Sequence, residues 1–151
     1  MQKAILNPAK GIAVISDGSC WTGDKVGGWA YVAIDCFGQE IVGSGSEVGT
    51  TVNRMEMTAI IEGLEFTYGE LGACDILVYS DSEYVVLGFQ NPGRKRKRNI
   101  DLWMKLDIIK TWFNYIEFTH IRGHQGNFYN EMADELAGNA RISRQNLIKE
   151  L

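Results

Sequence analysis

At 151 residues, 45% hydrophobic and 23% charged, the chain has the size and composition of one folded domain and is too apolar for a disordered one. No apolar run reaches membrane-spanning length, residues 1–10 lack the apolar centre of a signal peptide, and three scattered cysteines make no disulfide framework, which together predict a cytoplasmic protein with no membrane partner. The net charge of −4 excludes a wholly basic surface, yet Arg94, Lys95, Arg96, Lys97 and Arg98 are consecutive and leave room for one basic lobe.

Residues 1–10 read as an N-terminal tail. Ile12, Ala13, Val14 and Ile15 then form an apolar run that fits a doubly buried strand over 11–17, broken by Ser16-Asp17-Gly18-Ser19. Ligands of α/β sheets collect at strand ends, so Asp17 is a functional candidate; an aspartate opening an ordinary turn reads the same way. Residues 21–28 are a polar, Gly-containing loop. Strands follow over 28–35 and 39–47, joined through Phe37-Gly38 as an antiparallel meander. From Val52 the period becomes helical, with Met55, Ala59 or Ile60, and Leu64 in step and Gly69 and Gly72 near the end.

Residues 75–80 suit a central strand, and Asp81 follows at once. Ser82 opens a short helix to about Phe89 that Asn91-Pro92-Gly93 terminates. Beyond the basic run, Leu102, Leu106, Ile109 and Phe113 lie on one helical stripe. A fifth strand spans 115–121 and a loop spans 122–128. A helix over 129–144 closes the fold on Met132, Ala133, Leu136, Ala137 and Ala140. The order βββαβααβα predicts an α/β fold with a five-stranded mixed sheet flanked by helices. A single domain spans 11–145, with a C-terminal tail at 146–151.

Four carboxylates stand out on this outline. Asp17 and Asp81 end two strands that should be parallel neighbours, while Glu56 and Asp134 each sit beside an apolar helical stripe. Asp81 could instead cap the helix that follows it, and the other two could be solvated helix charges. A buried carboxylate cluster is repulsive unless divalent cations neutralise it, and all-oxygen ligation suits Mg²⁺ or Mn²⁺. His120 and His124 are the only histidines and no CxxC accompanies them, which argues against zinc.

The segments Ser16-Asp17-Gly18-Ser19-Cys20, Asn53-Arg54-Met55-Glu56, Tyr79-Ser80-Asp81-Ser82-Glu83-Tyr84-Val85, Asn99-Ile100-Asp101-Leu102-Trp103, and Arg122-Gly123-His124 with Asp134-Glu135-Leu136-Ala137 resemble type 1 ribonuclease H, in family order. The resemblance implies a ribonuclease H-like fold and an endonuclease that cuts the RNA strand of RNA–DNA hybrids; no obligate protein partner is evident, so a monomer is expected. It implies that Asp17, Glu56, Asp81 and Asp134 bind two Mg²⁺ ions, with Mn²⁺ as a substitute, for an in-line displacement leaving 5′-phosphate and 3′-hydroxyl ends. His124 matches a mobile-loop histidine that aids proton transfer or product release, whereas His120, inside a strand, reads as structural. Cys20, Thr51, Asn53, Asn99 and Asn130 match positions near the substrate, with Thr51 and Asn99 as candidates for a DNA-strand phosphate pocket.

The chain departs from its relatives at Gly23 and Val52, where asparagine is frequent, and at Glu83, where glutamine is common. The larger departure is that only 20 positions separate Asp81 from Asp101, too few for the basic handle of many bacterial relatives. Residues 94–98 are then a candidate compact substitute that contacts phosphates, or else a solvated charge run or a localisation signal. A hybrid-binding module that does not cut and a same-fold nuclease acting on DNA are the rival functions.

Overall fold

The computed structural model of the chain describes residues 6–91, 93, 95–122 and 127–151. Its strands are β1 (Ile12–Cys20), β2 (Gly27–Ile34), β3 (Glu40–Glu47), β4 (Asp75–Ser80) and β5 (Tyr115–His120). The helices are α1 (Val52–Leu71), α2 (Glu83–Gln90), α3 (Ile100–Ile109) and α4 (Phe128–Lys149), with 3-10 turns at Pro8–Lys10 and Lys110–Trp112. The sheet runs β3-β2-β1-β4-β5. The first three strands pair antiparallel, and β4 and β5 join parallel to β1, the mixed sheet that the order of elements predicts.

Helices cover both sheet faces. Successive strand residues point to opposite sides, and in β2 a Cβ at Gly27 would meet the Met55 side chain of α1 while one at Gly28 would lie 2.1 Å from the Ala137 carbonyl of α4. This double cover explains why Val14, Ile15, Ser16 and Asp17 are buried one after another. On the α1 side, Ile60, Leu64, Ile76, Val78, Leu106 and Ile109 form part of the core.

Several boundaries differ from expectation, each for a tertiary reason. β1 does not stop at Asp17: it pairs with β2 as far as Cys20↔Gly27, while its parallel ladder with β4 ends at Ser16↔Ser80. Asp17 is therefore at a strand end on one side only. The expected N-terminal tail sends Leu6 into the core, and the Asn7 N–H donates to Asp35 Oδ2 at 2.8 Å. In α3 the buried stripe begins at Trp103 rather than Leu102. At the other end, residues 146–149, expected as tail, continue α4.

Candidate active site

The site lies where the parallel ladder runs out. Asp17 and Asp81 are the residues immediately beyond the Ser16↔Ser80 pair, so two adjacent strands deliver two carboxylates side by side. Glu56 comes from the second turn of α1. Gly18 admits it: a Cβ there would be 2.5 Å from the Glu56 backbone nitrogen and 2.6 Å from the Met55 carbonyl carbon, so the helix start presses directly onto β1. The result is a triad in which one ligand atom each of Asp17, Glu56 and Asp81 lies within 4.8 Å of the others.

Burial makes this triad electrostatically costly. Asp17 is 3% and Glu56 6% exposed. Burial, helped by a hydrogen bond to Asp134 and the charge of Asp81, pushes the Asp17 carboxyl from 3.8 up to about 8. Burial first, and then the charges of Asp17 and Asp81, raise Glu56 well above the usual carboxylate range. Asp17 Oδ1 accepts the Gly18 N–H at 2.9 Å, and Glu56 Oε2 is buried without a hydrogen-bond partner among the described residues. Oxygen donors gathered with an orphaned buried oxygen and no lysine or arginine among them fit a divalent cation.

Asp134 stands on α4, exposed, and reaches Asp17 from the sheet's other flank without joining the tight triad. Asp81 does not cap α2, because Ser82 does: its side chain accepts from Val85 N. His120, expected to be structural, places Nε2 3.1 Å from the Asp81 carbonyl oxygen, at the rim of the site. His124 and Arg94 lie outside the described residues.

The expected substrate positions separate. Thr51 is exposed and caps α1 by accepting from Arg54 N at 3.2 Å. Arg54 extends the cap to α3: its Nη1 donates to Asn99 Oδ1 at 3.3 Å and Asp101 Oδ1 at 3.0 Å, and its Nη2 donates to Asp101 Oδ2 at 2.8 Å. That pairing holds the Asp101 carboxyl down at about 2. Asn99 adopts a left-handed backbone, φ 56°, and its Nδ2 donates to Tyr84 Oη at 3.0 Å, so both its side-chain ends are held. Asn53 is half-buried. Cys20 is half-buried with Sγ 3.6 Å from the Thr50 carbonyl. Asn130 is 2% exposed, and its Oδ1 is buried without a hydrogen-bond partner among the described residues.

The basic run is not uniform. Lys95, Lys97 and Arg98 are exposed. Arg96 differs from these three: its Nη1 donates to Asp107 Oδ2 at 2.6 Å, and its guanidinium lies 4.3 Å from the centre of the Trp103 ring. No sequence signal marks this pair or the Arg54–Asp101 pair, because tertiary packing rather than a helical or strand period brings each together across 11 and 47 positions.

The sequence profile of the RNase H family matches residues 9–142. The chain belongs to the ribonuclease H family. A ribonuclease H of Dichelobacter nodosus is 37% identical over 146 residues, spanning 88% of this chain and 93% of the relative. One of Francisella philomiragia is 34% identical over 149 residues, spanning 90% and 94%. Among solved structures, LC11-RNase H1 in complex with an RNA/DNA hybrid superposes with a TM-score of 0.78 at 25% identity, covering 89% of this chain and 99% of that one. The N-terminal RNase H domain of a Mycobacterium tuberculosis protein gives 0.79 at 20% identity, covering 91% and 97%, a likeness of fold. In this ribonuclease H, then, the carboxylate triad sits on β1, α1 and the end of β4.

Proposed function

We propose that this ribonuclease H hydrolyses the RNA strand of RNA–DNA hybrids, with two Mg²⁺ ions, or Mn²⁺ in their place, held by Asp17, Glu56, Asp81 and Asp134. The observation that carries this reading is the triad of buried Asp17 and Glu56 with half-buried Asp81, ligand atoms within 4.8 Å, which holds its charge only at high cost without a cation. Bound there, the ions supply an activated water as nucleophile and positive charge for the leaving 3′ oxygen.

The chain's own residues do the rest by position. The Gly18 N–H orients Asp17, and the close seat of α1 on Gly18 keeps Glu56 from withdrawing. Asp134, exposed, closes the set from the solvent side. Thr51 stands at the N-terminus of the 20-residue α1, where helix dipole and free N–H groups favour an anion, and Arg54 ties it to Asn99. Those two residues take a DNA-strand phosphate. Cys20 and Asn53 line the approach for the strand whose 2′-hydroxyls open into a wide minor groove. Lys95, Lys97 and Arg98 contact further phosphates, and His124 moves the proton to the leaving oxygen or helps product depart. The enzyme works as a cytoplasmic monomer, in keeping with three free cysteines and with helices among the described residues too short or too polar to cross a membrane.

A hybrid-binding module that does not cut has no use for so repulsive a cluster. The test is incubation with labelled RNA–DNA hybrid, double-stranded RNA and double-stranded DNA, each in Mg²⁺ and in EDTA. Mg²⁺-dependent loss of hybrid RNA alone is expected. An uncut hybrid refutes the reading, and cleavage of duplex DNA turns it to the DNA-directed rival.

A further inference from the structure

Among the described members of the basic run, Arg96 is turned the wrong way for phosphate. Arg96 reaches back over the core edge, where Nη1 meets Asp107 Oδ2 at 2.6 Å, Nη2 meets the Gly88 carbonyl at 3.4 Å, and the guanidinium covers the Trp103 ring at 4.3 Å. Its side chain is only 19% exposed, unlike the open Lys95, Lys97 and Arg98. Trp103 is a firm seat for it. The ring is 3% exposed and lies so close to α2 that a Cβ at Gly88 would be 2.4 Å from it. Its Nε1 donates to Tyr84 Oη at 3.2 Å, the same hydroxyl that receives Asn99. The three exposed cations and Trp103 line one cavity of about 590 Å³ between the basic segment, α2 and α3.

We propose that Arg96 is a positioning residue, a latch that pins the basic segment to α3 through Asp107 and Trp103 so that Lys95, Lys97 and Arg98 face the hybrid. A three-cation contact on an otherwise unanchored loop loses entropy on binding; a latched loop is already ordered. The same Trp103–Tyr84–Asn99 contacts join the latch to the phosphate-pocket residue, so segment and pocket move as one body. This rests on the hybrid-cutting reading above for the identity of the bound backbone, but the latch itself is a property of the free protein.

Asp107 separates the latch from simple electrostatics. Removing a negative charge beside a basic segment strengthens attraction for a polyanion; removing half of a latch weakens binding. Asp107→Asn is therefore expected to raise KM for hybrid by about 3- to 10-fold at moderate salt, with kcat within about twofold of wild type. Arg96→Met, which keeps the stem over Trp103 and drops the charge, should do the same, and the double variant should be no worse than either single one. Trypsin should cut after Lys95, Lys97 and Arg98 roughly tenfold faster in Asp107→Asn than in wild type, at an unchanged thermal midpoint. A KM for Asp107→Asn at or below wild type, or trypsin rates that do not change, overturns the latch. A salt slope that falls by about one in Arg96→Met alone makes Arg96 a direct phosphate contact and also overturns it. If wild type fails to cut hybrid, the functional reading falls, while the trypsin comparison still decides the latch.

Discussion

Replacing Asp17 by Asn should destroy activity and stabilise the metal-free protein, two effects that a mere turn residue would not combine. Burial holds the Asp17 carboxyl near 8 against an ordinary value of 3.8, so the folded state prefers it protonated. A carboxyl raised in this way leaves stability intact below pH 3.8 and drains it as pH climbs toward 8. At about 1.4 kcal/mol per pH unit, holding Asp17 protonated at pH 7.5, where the unfolded chain would ionise it, costs up to about 5 kcal/mol. Glu56 and Asp81 share that repulsion, so one neutral amide should recover roughly 2 kcal/mol. For a chain of this length that raises the melting midpoint by about 4–8 °C. The assay is thermal unfolding in EDTA at pH 7.5 and pH 4, then with added Mg²⁺. The gain should vanish at pH 4, where the unfolded carboxyl is close to its own 3.8 and keeping Asp17 protonated in the folded state costs almost nothing. Mg²⁺ at a hundred times its Kd should stabilise wild type by about 2.7 kcal/mol and the variant far less. No gain at pH 7.5, or an equal gain at pH 4, refutes the buried-charge reasoning.

Other consequences can be read just as directly. Asp81→Asn should lower kcat on hybrid by more than about 100-fold, since several kcal/mol of charge stabilisation pass through its ligand oxygen; retained turnover excludes it from the metal site. Gly28→Ala forces a methyl to 2.1 Å from the Ala137 carbonyl and should destabilise by about 1–3 kcal/mol or more in denaturant titration, lowering activity as α4 and its Asp134 shift. Arg54→Ala removes an exposed ion pair worth at most about 1 kcal/mol, so stability should hardly change. KM should nonetheless rise more than kcat falls, because Asn99 loses the partner on its carbonyl side; an unchanged KM removes Asn99 from substrate contact.

What could be read from the sequence follows from which forces act locally. The Asp17–Asp81 pairing was legible because two apolar runs, each ending in Asp, identify neighbouring core strands whatever their surroundings. The extension of β1 through Ser19 and Cys20 was not, since those polar residues join the strand only because β2 is there to pair with them. Gly18 looked like a chain breaker; its part as the seat of α1 depends on where a helix 30-odd residues later lands. Apolar periodicity placed most of α4 but ended it too early. Its continuation begins at Gln145, which is held by a polar bond that carries no period, Gln145 Nε2 to Asp24 Oδ2 at 3.0 Å. The burial of Asn130 was likewise illegible, since a polar residue near the start of a helix reads as exposed until the helix is packed. Five equal positives in a row concealed Arg96 for a related reason: only Asp107 and Trp103, brought near by α3, single it out.

In the proposed reaction a metal-loaded carboxylate cluster, with no protein nucleophile, directs water at the scissile phosphate. Mass analysis of the RNA fragments tests it most directly. Attack by water leaves 5′-phosphate and 3′-hydroxyl ends in wild type with Mg²⁺, and none of either in EDTA or with Asp17→Asn. Fragments ending in 2′,3′-cyclic phosphate and 5′-hydroxyl would mean that the RNA's own 2′-hydroxyl had attacked, and would contradict the account.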